Sequence, residues 1–225
     1  MKNKKTLAAA VLLAAFILWT VLIQCVDVQE IGPENTKVGF AALNGWFHTM
    51  TGVNRTLYTI TDWLGLGPIL ICFCYGVLGA VQWVKRRKLL RVDTDLILLG
   101  IYYLLVISAY LFFEMVPINY RPVLIEGHPE ASYPSSTTLL VLSVMPTLKF
   151  QTDRRSGDRR IRQAATAFAV LFSAFMVGGR LISGVHWLTD IIGSVLLSGG
   201  LYLLYRAAVE RADQKKAEGQ GNGVS

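Results

Sequence analysis

One stretch between two apolar runs carries an arginine, a histidine and an aspartate, side chains that can together perform nucleophilic chemistry. The stretch is GGRLISGVHWLTD, and its charged positions are Arg180, His186 and Asp190. His186 and Asp190 are four residues apart, so they share one helix face if the helix has begun by His186. A carboxylate on one ring nitrogen fixes the tautomer and leaves the other nitrogen as a nucleophile. The spacing therefore predicts a nucleophilic histidine oriented by an aspartate.

Two further polar clusters carry groups that bind phosphate oxygens. INYRPVLIEG contains Arg121, and ASYPSSTT contains Ser135, Ser136 and Thr137. The planar forks of Arg121 and Arg180 fit the oxygens of a phosphate. Hydroxyl and backbone N–H groups at the start of a helix also favour an anion. The two clusters therefore predict a phosphate site beside the histidine.

Membrane helices must position these residues. The chain has 225 residues, of which 53% are hydrophobic and 16% are charged, too apolar for an ordinary soluble domain. Several runs of roughly 18–22 residues almost lack charge, which suits helices crossing a hydrocarbon core of about 30 Å. We predict an all-α fold, a single six-helix membrane domain over residues 1–210, and a disordered cytoplasmic tail over 211–225. The predicted helices cover about 6–26, 64–84, 95–116, 135–149, 164–183 and 187–206.

The positive charges indicate how this bundle is oriented. All but four of the 22 Lys and Arg residues lie at the termini or in connections that six alternating helices place on one side. By the positive-inside rule this side is the cytoplasm, with both termini there. The excess of basic residues therefore indicates the membrane topology rather than nucleic-acid binding. Arg121 and Arg180 are on the opposite side, where all three polar clusters meet and where we expect the site to face outside the cell.

The cysteines do not indicate a disulfide or a metal site. Cys25, Cys72 and Cys74 lie in or at the edge of apolar runs, where cysteine behaves as a small hydrophobic residue. They are therefore expected to have a structural role.

The three polar clusters also resemble the signature motifs of a known family. The residues R-P at 121–122, P-S-S-T at 134–137 and R-x5-H-x3-D at 180–190 are similar to those of the type 2 phosphatidic acid phosphatases, the PAP2 or haloperoxidase superfamily. The family patterns are K-x6-R-P, P-S-G-H and S-R-x5-H-x3-D. The region that carries the resemblance covers about residues 114–190.

The resemblance implies a role for each matched residue. His186 would form a phosphohistidine intermediate, and Asp190 would orient it. Arg121, Arg180 and Ser135 would hold the phosphoryl oxygens. The implied activity is hydrolysis of a lipid phosphate or diphosphate at the outer face of a bacterial cytoplasmic membrane. The resemblance implies no metal and no other cofactor, and the implied partners are the bilayer and a lipid phosphate.

Three positions depart from the family patterns. Glu114 stands where the family has Lys, Thr137 where it has His, and Gly179 where it has Ser. The family assigns the Lys to phosphate binding and the His to protonation of the leaving group. Threonine cannot act as a general acid near neutral pH. An acid at a membrane helix end rarely stays alone, so Glu114 is expected to pair with Arg121 or Arg180.

These departures leave two functional hypotheses open. In the first, the protein is an active phosphatase that prefers a polyprenyl diphosphate, because a phosphate monoester leaves more easily than a lipid alcohol. His128, in the outer connection, either supplies the missing acid or is an exposed loop histidine. In the alternative, a catalytically impaired protein binds or transports lipid phosphates, which Glu114 and Thr137 favour.

Overall fold

The chain forms eight α-helices in a computed structural model, which describes residues 2–221 and the side chains of residues 4–219. The helices are α1 (Lys2–Cys25), α2 (Ala41–Thr51), α3 (Arg55–Leu64), α4 (Leu66–Arg86), α5 (Thr94–Met115), α6 (Ser136–Arg155), α7 (Arg159–Ile182) and α8 (Leu188–Gly221). The described residues contain no β-strand, only three isolated bridges in the connections. The predicted all-α fold is confirmed.

The long helices run between two ends of the bundle that differ in charge. Ion pairs join the helices at one end: Lys5 with Glu210, Arg86 with Asp93, Arg154 with Asp213, and Arg155 with Asp95. At the other end, the Trp19 indole of α1 donates to the Thr189 carbonyl of α8 at 3.1 Å. The basic connections, the start of α1 and the last turns of α8 therefore gather at one end of the bundle, which we call the basic end.

Within residues 2–221, five stretches are helical, long and apolar enough to cross a membrane, whereas the sequence predicted six. They are Lys4–Cys25, Arg55–Arg86, Thr94–Met115, Arg159–Ile182 and Leu188–Gly219. Helix α6 also runs from one end of the bundle to the other, but its polar residues lower its hydropathy. Those residues bond within the bundle: Tyr103 Oη lies 2.6 Å from Thr147 Oγ1, and the Gln151 amide donates to Tyr205 Oη at 2.6 Å. Protein partners satisfy these groups, so α6 needs no apolar surface toward lipid.

The sequence predicted a disordered tail over residues 211–225, and this prediction is wrong for the part of the tail that the structure describes. Helix α8 continues through Gly221, and residues 222–225 lie outside the described residues. Arg154 holds this extension with two hydrogen bonds to the Asp213 carboxylate, at 2.8 and 3.1 Å. The segment after Arg206 is also rich in Ala, Glu, Gln, Lys and Arg, which form helices readily.

The second predicted helix begins earlier than the sequence indicated. Helix α3 starts at Arg55, where Asn54 caps it by accepting the Leu57 N–H at 2.9 Å. Helices α3 and α4 are separated by Gly65 alone. The extra turns carry Tyr58 and Asp62 to the end of the bundle opposite the basic end.

Candidate active site

The predicted histidine and aspartate lie together at the end opposite the basic end. His186 is in the turn between α7 and α8, and its Nδ1 lies 3.6 Å from Oδ2 of Asp190 in the first turn of α8. Both side chains are buried. The distance exceeds a hydrogen bond, but the carboxylate is close enough to stabilise a positive charge on the ring.

Hydrogen bonds fix the position of Asp190. Its Oδ2 accepts the Trp187 N–H at 2.9 Å, and its Oδ1 accepts the Asn119 amide at 3.4 Å. The Trp187 indole in turn donates to the Tyr120 carbonyl at 2.7 Å. The residues just before Arg121 therefore hold the turn that carries the histidine.

The surroundings of His186 keep its imidazole neutral. Burial lowers the pKa of His186 well below its ordinary value, and the charges of Arg121 and Arg180 lower it further, while the Ser132 backbone acts in the opposite direction. Neither ring nitrogen makes a hydrogen bond of good geometry with the described residues. A neutral ring with an uncommitted nitrogen is the form that can attack phosphorus.

The two predicted arginines stand beside the histidine with unsatisfied donors. Their guanidinium carbons lie over the Tyr58 ring, 6.0 Å from its centroid for Arg121 and 4.9 Å for Arg180. Both side chains are buried, and Nη1 of Arg121 and both Nε and Nη1 of Arg180 have no hydrogen-bond partner among the described residues. Two neighbouring buried cations with spare N–H groups form a site for an anion with several oxygens.

The start of α6 borders this cation pair. Arg180 Nη2 donates to the Thr137 hydroxyl, and the Ser135 N–H donates to the Asp190 carbonyl at 3.3 Å. Ser135 is buried and its hydroxyl donates to Thr138 Oγ1 at 3.1 Å, whereas Ser136 and Thr137 are half-buried. The unpaired backbone N–H groups of the first turn of α6 therefore lie close to Arg180.

Buried aromatic rings anchor the loop before α6. The Tyr133 ring stacks on Phe16 at 6.1 Å and meets Phe113 edge-on at 5.7 Å, and its hydroxyl lies 2.7 Å from Thr20 Oγ1. An added Cβ at Gly193 would lie 2.4 Å from the Tyr133 ring. These contacts fix the loop, and with it the start of α6, against α1, α5 and α8.

The arginines have counter-ions that the sequence analysis did not find. Arg180 Nη2 donates to Asp62 Oδ1 at 2.9 Å, and Arg121 Nε lies within ion-pair distance of Glu130 Oε2, at 3.1 Å. The expected pairing of Glu114 with one of these arginines is therefore wrong. Glu114 lies near the end of α5 with its side chain exposed, and it lines a small cavity with Ser132 and Ser136.

His128 is exposed and closes a tight turn with Ile125. The Ile125 and His128 backbones exchange hydrogen bonds at 3.1 and 3.0 Å, and the imidazole is exposed. Of its two interpretations, the exposed loop histidine fits this placement.

Two glycines let the outer connections pack against the site. At Gly179, an added Cβ would lie 2.6 Å from Thr61 Cγ2 of α3. At Gly184, where φ is +69°, it would lie 1.8 Å from the Gly52 carbonyl oxygen. The close approach of α3 to α7 thus accounts for glycine at position 179, where the family pattern has serine.

An apolar groove of about 440 Å³ opens beside the cation pair, between α4, α5 and α6. Its polar end is formed by Asp62, Ser136 and Thr137, and most of its remaining lining is apolar. A second groove of about 410 Å³, between α4 and α5, shares Cys72 and Tyr103 with the first. The two grooves adjoin at these residues, and we call them together the chain groove.

The described residues contain no group of three or more His, Cys, Asp or Glu side chains placed to hold a metal ion. The three cysteines are free.

Several site residues carried no signal in the sequence. Asp62 and Tyr58 precede Arg180 by more than a hundred residues and belong to no recognisable spacing. Asn119 had a weak sequence signal, because it lies two residues before Arg121 in a polar cluster at a helix end.

Comparisons with known proteins agree with this arrangement. The family model described as the PAP2 superfamily matches residues 96–213. The chain is also similar in structure to a transmembrane PAP2 type phosphatidylglycerolphosphate phosphatase from Bacillus subtilis, with a TM-score of 0.59 and 15% identity over 90% of this chain and 96% of that one. At this identity the likeness concerns the fold alone. No curated protein matches the chain in a sequence comparison.

Proposed function

Because the chain belongs to the PAP2 superfamily, we propose that it hydrolyses a lipid phosphate or diphosphate through a phosphohistidine intermediate. The observation that carries the proposal is the placement of a buried, neutral His186 beside Arg121 and Arg180. The spare N–H groups of these arginines match the oxygens of a phosphoryl group, and the histidine provides the nucleophile.

The proposed first step transfers the phosphoryl group to the histidine. Nε2 of His186 attacks phosphorus while Asp190, on the Nδ1 side, stabilises the positive charge that develops on the ring. Arg121, Arg180 and the N–H groups at the start of α6 bind the phosphoryl oxygens. The bond from phosphorus to the lipid oxygen breaks, and the lipid leaves.

The proposed second step regenerates the enzyme. Water attacks the phosphorus of the phosphohistidine, the P–N bond breaks, and inorganic phosphate leaves with the His186 ring neutral again. The same oxygen-binding groups serve both steps, because negative charge develops on the same phosphoryl oxygens each time.

The chain groove supports a lipid as the substrate. It begins at Asp62, Ser136 and Thr137, beside the anion site, and continues past Cys72 and Tyr103 along α4 and α5. A phosphoryl group at the arginines would therefore place its lipid chain in apolar surroundings. Its two parts, of about 440 and 410 Å³, leave room for a long chain, and a polyprenyl diphosphate combines such a chain with an easily expelled phosphate monoester.

We further propose that the site faces outside the cytoplasmic membrane, with both termini in the cytoplasm. The basic end lies opposite the site, and basic connections are retained on the cytoplasmic side. The enzyme would then act on lipid phosphates of the outer leaflet.

Phosphate release by the detergent-purified protein tests the proposed function. A polyprenyl diphosphate and a phosphatidic acid are compared for the wild type, His186→Ala and His128→Ala. We expect turnover that vanishes in His186→Ala and persists in His128→Ala, with the diphosphate hydrolysed faster.

The alternative is a protein that binds lipid phosphates without hydrolysing them, and the paired state of Arg180 with Asp62 favours it. Phosphate release no higher than in His186→Ala, together with lipid phosphate binding that is lost in Arg180→Ala, would replace the phosphatase by this alternative.

A further inference from the structure

We propose that Asp62 is the catalytic residue that protonates the leaving lipid oxygen, an assignment that rests on the proposed phosphatase function. The departing oxygen joins the phosphoryl group to the lipid chain. It must therefore sit where the anion site meets the chain groove. Of the described residues that line this groove, Asp62 is the one that carries a carboxyl group.

The contacts of Arg180 place Asp62 at this junction. Arg180 Nη2 donates both to Asp62 Oδ1, at 2.9 Å, and to the Thr137 hydroxyl. A phosphoryl oxygen bound to the same guanidinium would thus lie next to the carboxyl group. Thr137 is equally near, but its hydroxyl does not release a proton near neutral pH.

The other acid–base side chains near the site are placed less well. His128 is exposed at the tip of a turn, and Glu114 is exposed on α5 and does not line the chain groove. Glu130 pairs with Arg121 and lies outside the groove lining. His186 forms the bond to phosphorus and has no proton to give on its attacking nitrogen.

Exposure and charge suit Asp62 to a proton-transfer role. The side chain of Asp62 is 56% exposed, so its carboxyl group is accessible at the protein surface, whereas the side chain of Arg180 is 1% exposed. Without substrate, Arg180 stabilises the carboxylate. When a phosphoryl group binds, its oxygens compete with Asp62 for Arg180, and the carboxyl group then lies beside the departing oxygen.

The proton transfers balance over both steps. As Nε2 of His186 bonds to phosphorus, the P–O bond to the lipid breaks and the leaving oxygen takes the proton of the Asp62 carboxyl group. In the second step the Asp62 carboxylate accepts a proton from the attacking water. When phosphate leaves, Arg180 pairs with Asp62 again and this proton returns to solvent, and a proton is taken up anew when the next substrate binds.

Asp62→Asn separates this role from a purely structural one. The amide keeps the size of the side chain and an oxygen that accepts from Arg180, but it cannot supply the proton. The variant is compared with the wild type on a lipid monophosphate, whose alkoxide needs a proton, and on 4-nitrophenyl phosphate, whose phenolate leaves without one. Glu130→Gln is the matched control, because it also removes the carboxylate partner of a site arginine.

We expect Asp62→Asn to lower kcat for the lipid monophosphate about 10²–10⁴-fold, the usual contribution of a general acid, and for 4-nitrophenyl phosphate less than about tenfold. Glu130→Gln should alter both substrates by similar factors. Equal losses on both substrates in Asp62→Asn, or no loss on either, would overturn the assignment and leave the phosphatase intact. Absence of any His186-dependent turnover in the wild type would instead overturn the proposed function itself.

Discussion

The Nδ1 atom of His186 lies 3.6 Å from Oδ2 of Asp190, and the same carboxylate oxygen accepts the Trp187 N–H at 2.9 Å. The backbone thus holds the carboxylate while the ring remains uncommitted. Catalytic hydrogen bonds are often long without substrate and shorten in the reacting complex. The arrangement is suited to form the ring-to-carboxylate hydrogen bond when the histidine becomes positively charged.

Asp190→Asn should therefore lower kcat more than substrate affinity. The amide oxygen can still accept the Trp187 N–H, so the turn is preserved, but the charge opposite Nδ1 is lost. We expect kcat to fall about 10²–10⁴-fold. Single-turnover phosphate release and lipid phosphate binding measure the two effects, with Asp27→Asn as a control outside the site. A fall in binding that accounts for the whole loss would argue against this role.

The activity should persist to lower pH than an ordinary histidine allows. Burial, Arg121 and Arg180 all lower the pKa of His186, so its nucleophilic neutral form survives below about pH 6.5. Arg121→Gln removes one of these cations. The His186 pKa should then rise, and the acid limb of kcat/KM should move to higher pH.

Profiles of kcat/KM against pH test this shift of the acid limb. All variants are measured with the same substrate, so that ionisation of the substrate affects each profile equally. Arg55→Gln removes an exposed cation at the start of α3 and should leave the acid limb unchanged. An acid limb that stays in place in Arg121→Gln, or that moves equally in both variants, would show that Arg121 does not set the protonation of His186.

The residues within the three sequence clusters were predictable because each cluster ends a helix on the same side of the bundle. Alternation of the helices then brings Arg121, Arg180, His186 and Asp190 together without knowledge of the packing. Asp62 was not predictable in this way. Its contact with Arg180 depends on the early start of α3, and a single carboxylate in an outer connection resembles any solvated charge.

Two errors of the sequence analysis have a common physical origin. The pairing of Glu114 and the disorder of the tail after residue 210 were predicted from the local sequence. In the structure, partners that are distant in the chain determine both. Glu130 pairs with Arg121, and Asp62 pairs with Arg180. These are the two arginines with which Glu114 was expected to pair. Arg154, more than fifty residues away in the chain, holds the tail helix through Asp213.

Gly179→Ser should destabilise the protein although it restores the residue of the family pattern. The new Cβ would lie 2.6 Å from Thr61 Cγ2, and overpacking of this kind costs about 1–3 kcal/mol. Thr61→Ser removes the clashing methyl group and keeps the hydroxyl that bonds to the Leu57 carbonyl. Thermal unfolding in detergent should show a lower Tm for Gly179→Ser and recovery in the double variant. Equal Tm values for the wild type and Gly179→Ser would contradict the close packing of α3 on α7.

Cys72→Trp should obstruct the chain groove and affect long-chain substrates selectively. Cys72 lies where the two parts of the groove join, so an indole there would displace part of a bound chain. Each buried methylene group of the lipid chain contributes about 0.8 kcal/mol of binding, so loss of two such groups from the groove lowers kcat/KM about tenfold. We expect that loss for a polyprenyl diphosphate and little change for a water-soluble short-chain diphosphate. Val77→Trp, on the exposed face of the same helix, is the matched control and should spare both substrates. Parallel losses on the two substrates in Cys72→Trp would mean that the chain binds elsewhere.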